Sequence, residues 1–152
     1  MIEIIRTDST HSDFVNLVKQ LDSFLKTVDG DENEFYHQYN GIENLNHVVV
    51  AYLNKTAVGC GSFKPYNNHT VEIKRMYVVT DLRSKGIATI ILNDLEKWAK
   101  ELNYSRCILE TGKRQTEAIQ LYKKNFYTLT ANYPPYEGVD NSLCFEKLLS
   151  EQ

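Results

Sequence analysis

Two periodicities divide the chain. Apolar residues recur every three or four positions along three stretches: Phe14, Leu17, Val18, Leu21 and Leu25; Ile87, Ile91, Leu95, Trp98 and Leu102; and the shorter EAIQLYKK. Such spacing lines one face of a helix, so each stretch predicts an amphipathic helix. Thr10, with Asp13 three residues on in a capping-box-like position, starts the first, which ends near Thr27. After the turn VDGDEN, the segment EFYHQYNGIENL, with Phe35, Tyr36 and Tyr39, reads as a further short helix.

The remaining apolar runs are short and rich in β-branched and aromatic residues, the composition of strands. Ile2 and Ile4 mark the first. HVVVAYL and TAVGCGSF form a hairpin across Asn54-Lys55, VEIKRMYVV follows the PYNNHT turn, RCILE is short and buried, and FYTLTA and NSLCFEKLL flank the YPPYEGVD loop. The predicted order is β-α-α-β-β-β-α-β-α-β-β. A helix crossing between two neighbouring strands makes that pair parallel, while hairpin-joined strands are antiparallel. The fold class is therefore α+β (mixed α/β), with a mostly antiparallel central sheet.

Composition narrows the picture further. At 152 residues, without linker or low-complexity segment, the chain reads as a single domain, 1–152. A net charge of −3 argues against a general nucleic-acid binder. No apolar segment reaches the ~18 residues of a membrane span, and no basic flank with an apolar run opens the chain, so a cytoplasmic protein is expected. Cys60, Cys107 and Cys144 lie inside strand-like runs without a C-x-x-C pair, which predicts buried free thiols. His11, His37, His47 and His69 are scattered, and no metal is predicted.

The candidate chemistry starts at RSKGIA, residues 83 to 88, between a strand and a helix. A turn needing one residue at φ > 0 accounts for it. So does a loop whose N–H groups, with the helix N-terminus behind them, hold a pyrophosphate. The order G-x-x-x-x-G-K-[ST] is absent, which excludes a P-loop. The stretch alone does not choose between turn and anion site.

Three features in sequence order carry a resemblance. They are a strand ending in R-x-x-G-x-A (Arg83, Gly86, Ala88), a long helix followed by RCILE, and a helix with A-x-x-L-Y (Ala118, Leu121, Tyr122). Together they resemble the core of the GNAT superfamily of acyl-CoA-dependent N-acetyltransferases, and the element order fits from residue 1 to about 149. The resemblance implies the GNAT fold, with a splayed parallel strand pair, and acetyl-CoA as co-substrate without a metal. It also implies direct attack by a primary amine in a ternary complex. On that basis Arg83, Ser84, Lys85, Gly86, Ile87, Ala88 and Thr89 bind the pyrophosphate. Met76, Tyr77 and Val78 offer backbone to the pantetheine arm, and Gln115 stands where many members carry a cofactor-binding Asn. Tyr122 takes the place of the family's general acid. Glu72, eleven residues before Arg83, takes that of a general base, alone or through water; an ion pair with Lys74 or with a cross-strand partner also explains it. Phe126 occupies a position usually held by Gly, so Asn125 is expected to take the left-handed conformation at that helix end.

The acceptor is less legible. Tyr36, Tyr39, Tyr133 and Tyr136 lie in the segments that set substrate choice in the family, and Tyr133-Pro134-Pro135-Tyr136 reads as a rigid, partly exposed lid. Lys74 and Arg75 should point to opposite faces of their strand, at least one of them toward the acceptor or paired with an acid. A small-molecule amine, an amino acid or derivative, is favoured over a protein, peptide or polyamine, and over a non-catalytic acyl-CoA-binding module. A homodimer is an allowed assembly.

Overall fold

The computed structural model describes residues 1–29 and 41–149. The elements in order are β1 (Ile2–Thr7), α1 (Ser12–Asp29), β2 (His47–Leu53), β3 (Thr56–Pro65), β4 (Thr70–Val78), a 3-10 turn (Thr80–Leu82), α2 (Ile87–Glu101), β5 (Arg106–Gly112), α3 (Thr116–Lys124), β6 (Thr128–Thr130) and β7 (Ser142–Leu148). Residues 41–45, part of the expected second helix, form no helix, and the rest of that segment lies outside the described residues. The first helix begins at Ser12 rather than Thr10. Asp8 accepts hydrogen bonds from the Thr10 N–H (2.9 Å) and hydroxyl (2.6 Å), which holds Thr10 in a turn, and the Asp13 N–H donates to His11 Nδ1 (3.2 Å).

The strands form one sheet, ordered β1-β2-β3-β4-β5-β7-β6. Among the described strands only β4 and β5, joined through α2, run parallel. Alternation along β2 shows how the two layers are filled. Val49 and Ala51 face the core built on α2, through Ile91, Leu92 and Leu95, whereas Val48 and Val50 face Phe14, Leu17, Val18 and Leu21 of α1. Burying each of the large aliphatic side chains contributes roughly 1.5–3 kcal/mol. Gly61 lets α2 sit close: a Cβ there would lie 2.9 Å from Ile91 Cγ2 and 2.9 Å from Leu95 Cδ1. Asn54 (φ 51°) and Lys55 (φ 68°) make the predicted hairpin turn. The three cysteines are free and buried, and no described helix is long and apolar enough to cross a membrane.

The turn after α3 departs from expectation. Asn125 has φ −95°, and Phe126, its ring 80% exposed, takes the left-handed conformation at φ 72°. Asn125 is occupied elsewhere: its amide donates to Leu121 O (2.9 Å) and Thr89 Oγ1 (3.3 Å), tying the end of α3 to the start of α2.

Strand β4 contains an irregularity with functional weight. Its register with β3 steps from Cys60↔Tyr77 to Ser62↔Lys74, so Gly61 opposes both Arg75 and Met76, and Arg75 has φ 58°. This bulge resets the alternation. Ile73 and Met76 pack on the α2 side and Tyr77 on the α1 side, which leaves Lys74 and Arg75 together on the α1 side rather than on opposite faces.

A half-buried imidazole makes stability depend on pH. His47 stacks on Phe63 with ring centroids 4.7 Å apart, and its buried Nδ1 has no hydrogen-bond partner among the described residues. Burial lowers its pKa from 6.5. The unfolded chain therefore takes up this proton first, and the stability contributed by neutral His47 is complete above pH 6.5 and lost as pH falls below it. Melting temperature should drop more steeply between about pH 6.5 and 5 in the wild type than in His47→Gln. Parallel curves would show that His47 does not contribute to the acid limb.

Candidate active site

The site begins where β4 and β5 part. Their ladder consists of Thr70↔Arg106, Val71↔Cys107 and Glu72↔Ile108, after which β4 continues to Val78 and β5 to Gly112 without pairing with each other. The edge of β4 facing β5 is thus open over its second half. An open edge offers N–H and C=O groups to an extended ligand as a neighbouring strand would.

Two cavities occupy this wedge. The larger, about 490 Å³, is lined by Met76, Tyr77, Val78, Arg83, Ser84, Gly86, Ile87, Ala88, Thr89 and Gln115 of the residues expected at a cofactor. Lys85 is exposed and does not line it. Ser84 (φ 66°) and Gly86 (φ 83°) bend the loop so that Gly86 directly precedes α2. A Cβ on Gly86 would meet nothing within 4 Å, so glycine serves backbone conformation here, not crowding. The helix behind it directs unpaired N–H groups and the positive end of its dipole at the cavity.

Arg83 has a different setting from the one its charge suggested. Its Nε donates to Val78 O (3.0 Å), and its guanidinium lies over the rings of Phe24 (4.7 Å) and Tyr77 (5.5 Å). It fastens the loop to the end of β4 and to α1.

Tyr122, Met76, Gln115 and Leu21 line both cavities, so the phenol stands at their boundary. Helix α3 presents it there, packed on Tyr127 (5.8 Å) and Phe145 (6.2 Å). Burial, and next the charge of Glu110, raise its pKa, so the hydroxyl keeps its proton throughout the neutral range. A protonated phenol beside a cleft can donate to a leaving anion.

The smaller cavity, about 70 Å³, contains the charged side chains. Glu72 is buried, and both its oxygens are engaged: Oε2 accepts from the Tyr133 hydroxyl (2.7 Å), and Oε1 faces Lys74 Nζ (3.5 Å) and Lys64 Nζ (3.9 Å). Lys74, also buried, donates to the Tyr136 hydroxyl (3.2 Å). Burial lowers the Lys74 pKa, against which Glu72 acts. Arg75 pairs through one terminal nitrogen with Asp22 of α1. Tyr136 is 1% exposed and stands edge-on to Tyr133. Pro134 and Pro135 of the partly exposed loop lie at the surface, but the two rings are packed inward, their hydroxyls bound to the Glu72–Lys74 pair. Tyr36 and Tyr39 lie outside the described residues.

Two participants had no sequence signal strong enough to single them out. Glu110, at the end of RCILE, lines the smaller cavity and accepts from Ser142 Oγ (2.7 Å). A carboxylate closing a short apolar strand was the available clue. Asp22 reads as one more polar residue of an amphipathic helix, and only the packing of α1 on β4 brings it to Arg75. Among the described residues, no group of three or more His, Cys, Asp or Glu could hold a metal ion.

Comparison with known proteins gives the same architecture. An IAA acetyltransferase of Azospirillum brasilense is 28% identical over 150 residues, spanning 97% of this chain and 98% of that protein. The crystal structure of a Klebsiella pneumoniae protein assigned to the acyl-CoA N-acyltransferases superposes with a TM-score of 0.83 at 26% identity, over 99% of both chains. A GNAT family acetyltransferase from Elizabethkingia anophelis, solved with acetyl-CoA bound, has the same fold at a TM-score of 0.67 and 22% identity, covering 97% of this chain and 98% of that one. The model of the acetyltransferase (GNAT) family matches residues 15–126, a span that holds the parted strands, the loop at Gly86 and the helix of Tyr122. The protein belongs to that family and is an acyltransferase.

Proposed function

We propose that the protein transfers the acetyl group of acetyl-CoA to the primary amine of a small molecule, by direct attack within a ternary complex. The observation that carries this reading is the position of Tyr122 at the boundary between a long cleft and a small, charged cavity. The cleft suits a thiol-terminated nucleotide cofactor. Its pyrophosphate would lie on the loop and first turn of α2, at Ser84 to Thr89, and its pantetheine arm along the open edge of β4 at Met76 to Val78. Gln115 would add an amide donor from the start of α3. Acetyl-CoA, when bound, supplies the activated acyl carbon.

The chain's own residues divide the remaining work. The small cavity admits the acceptor's reacting end, and its walls limit how much of the acceptor enters. An ammonium ion cannot attack a carbonyl, so the acceptor must lose a proton. We assign its receipt to Glu72, which Lys74 and Tyr133 hold in place. Tyr122 protonates the departing thiolate. We also read residues 1–152 as one catalytic unit.

Thiol release from acetyl-CoA across a panel of primary amines tests the function, and release with none would overturn it. The role of Glu72 is tested separately by Glu72→Gln. The variant should lose kcat/KM at neutral pH and regain part of it as pH rises and free amine accumulates. It should also melt at lower temperature, since removing one partner of a buried ion pair leaves the other uncompensated. Superimposable pH-rate profiles would remove Glu72 from the proton path.

A further inference from the structure

The bulge in β4 poses a physical question that the cofactor cleft does not answer. A non-glycine residue at φ 58° is strained, and here it is an arginine whose side chain is 3% exposed. A buried guanidinium is costly unless its donors are paired, because desolvation removes the water that satisfied them. Asp22 takes one terminal nitrogen of Arg75, but Nε is buried and has no hydrogen-bond partner among the described residues. The residue lines the small cavity, which it shares with Glu72, Glu110 and Tyr122. Three independent features thus converge at Arg75: backbone strain, an orphaned charged donor, and a cavity continuous with the reacting end of the site.

We infer that Arg75 is a specificity residue, and that the acceptor is a small zwitterion whose carboxylate binds Arg75 while its amine faces Tyr122 and the carboxylates of Glu72 and Glu110. This inference rests on the proposed function and deepens it. The guanidinium has five N–H donors in a fixed fork and meets a carboxylate with two parallel bonds, a geometry that lysine cannot reproduce. The bulge makes the contact available. Regular alternation would have turned Arg75 into the α2 core, whereas the extra residue turns it to the α1 side beside Lys74. The cavity lining carries both signs, with Lys74 already paired to Glu72. Glu72 and Glu110 attract the ammonium group, and Arg75 attracts the anionic end, so an acceptor carrying both groups enters in one orientation. A cavity of about 70 Å³ favours a short spacing between them.

The test compares free amino acids with their matching amides, which keep the amine and lose the negative charge. Wild-type protein should show kcat/KM about ten- to a hundred-fold higher for the free acids, the range expected of a charge-assisted hydrogen bond, with the difference mainly in KM. Arg75→Gln should bring that ratio close to one, and Arg75→Lys should restore part of it. Thermal shift with acetyl-CoA reports whether each variant is folded. Should Arg75→Gln fail to fold, the wild-type ratio together with Arg75→Lys decides. A wild-type ratio near one, or a ratio that survives in a folded Arg75 variant, would overturn the inference and leave the proposed function standing. Absence of thiol release with every amine would overturn both.

Discussion

Tyr122→Phe should lower kcat with a good acceptor by about ten- to a thousand-fold, the range of lost general acid catalysis, while the stabilisation given by acetyl-CoA persists. The substitution keeps the ring, so the contacts with Tyr127 and Phe145 remain. Among the described residues none hydrogen-bonds the Tyr122 hydroxyl, so its removal orphans no partner and the melting temperature should scarcely change. What disappears is the proton at the boundary of the two cavities. Because burial raises the phenol's pKa, the wild-type rate should show no basic limb from Tyr122 below about pH 10, the pKa of an ordinary tyrosine. Single-turnover measurement of thiol release, with thermal shift in parallel, checks both parts. Full turnover in the variant would reduce Tyr122 to a packing residue.

Gly86→Asp should abolish the rise in melting temperature that acetyl-CoA produces. A ligand at a hundred times its Kd stabilises the folded state by about 2.7 kcal/mol, which for a domain of this size is roughly 5–10 °C. Two effects remove it. The loop at φ 83° strains any residue with a Cβ, and the new carboxylate would enter an otherwise empty space at the mouth of α2, where the proposed pyrophosphate lies. Like charges in a partly buried site repel far more strongly than in bulk water. Gly86→Ala separates the two effects, because it introduces the strain without the charge and should keep most of the shift. A full shift in Gly86→Asp would overturn the assignment of this loop to the cofactor.

These predictions differ in how much of them could be read before any tertiary structure. The loop's shape was legible because a single short segment encodes it: the glycine and the helix start both lie within residues 83 to 89. Helices α1, α2 and α3 were legible for the same local reason, their apolar residues recurring at helical spacing. The ordered signature then pointed to the parted strand pair, which the ladder ending at Glu72 and Ile108 displays.

The acceptor side was not legible, and the reason is register. Alternation assigned Lys74 and Arg75 to opposite faces because it assumes one residue on β4 for each on β3. A bulge breaks that assumption without a mark in the sequence; Gly61, on the partner strand, is compatible with regular pairing too. Tyr136 looked exposed because Pro-Pro turns usually lie at the surface, yet its hydroxyl meets the ammonium of Lys74, a residue 62 positions away. Arg83 lines the larger cavity, and only packing revealed that its Nε also donates to Val78 O and its guanidinium lies over the rings of Phe24 and Tyr77. Local pattern determined the helices, the strands and the strand-to-helix loop at Gly86, since propensity and spacing act over a few residues. Which charged groups meet in the small cavity was decided by tertiary packing alone, because desolvation forces each buried charge to find a partner wherever the fold brings one within reach.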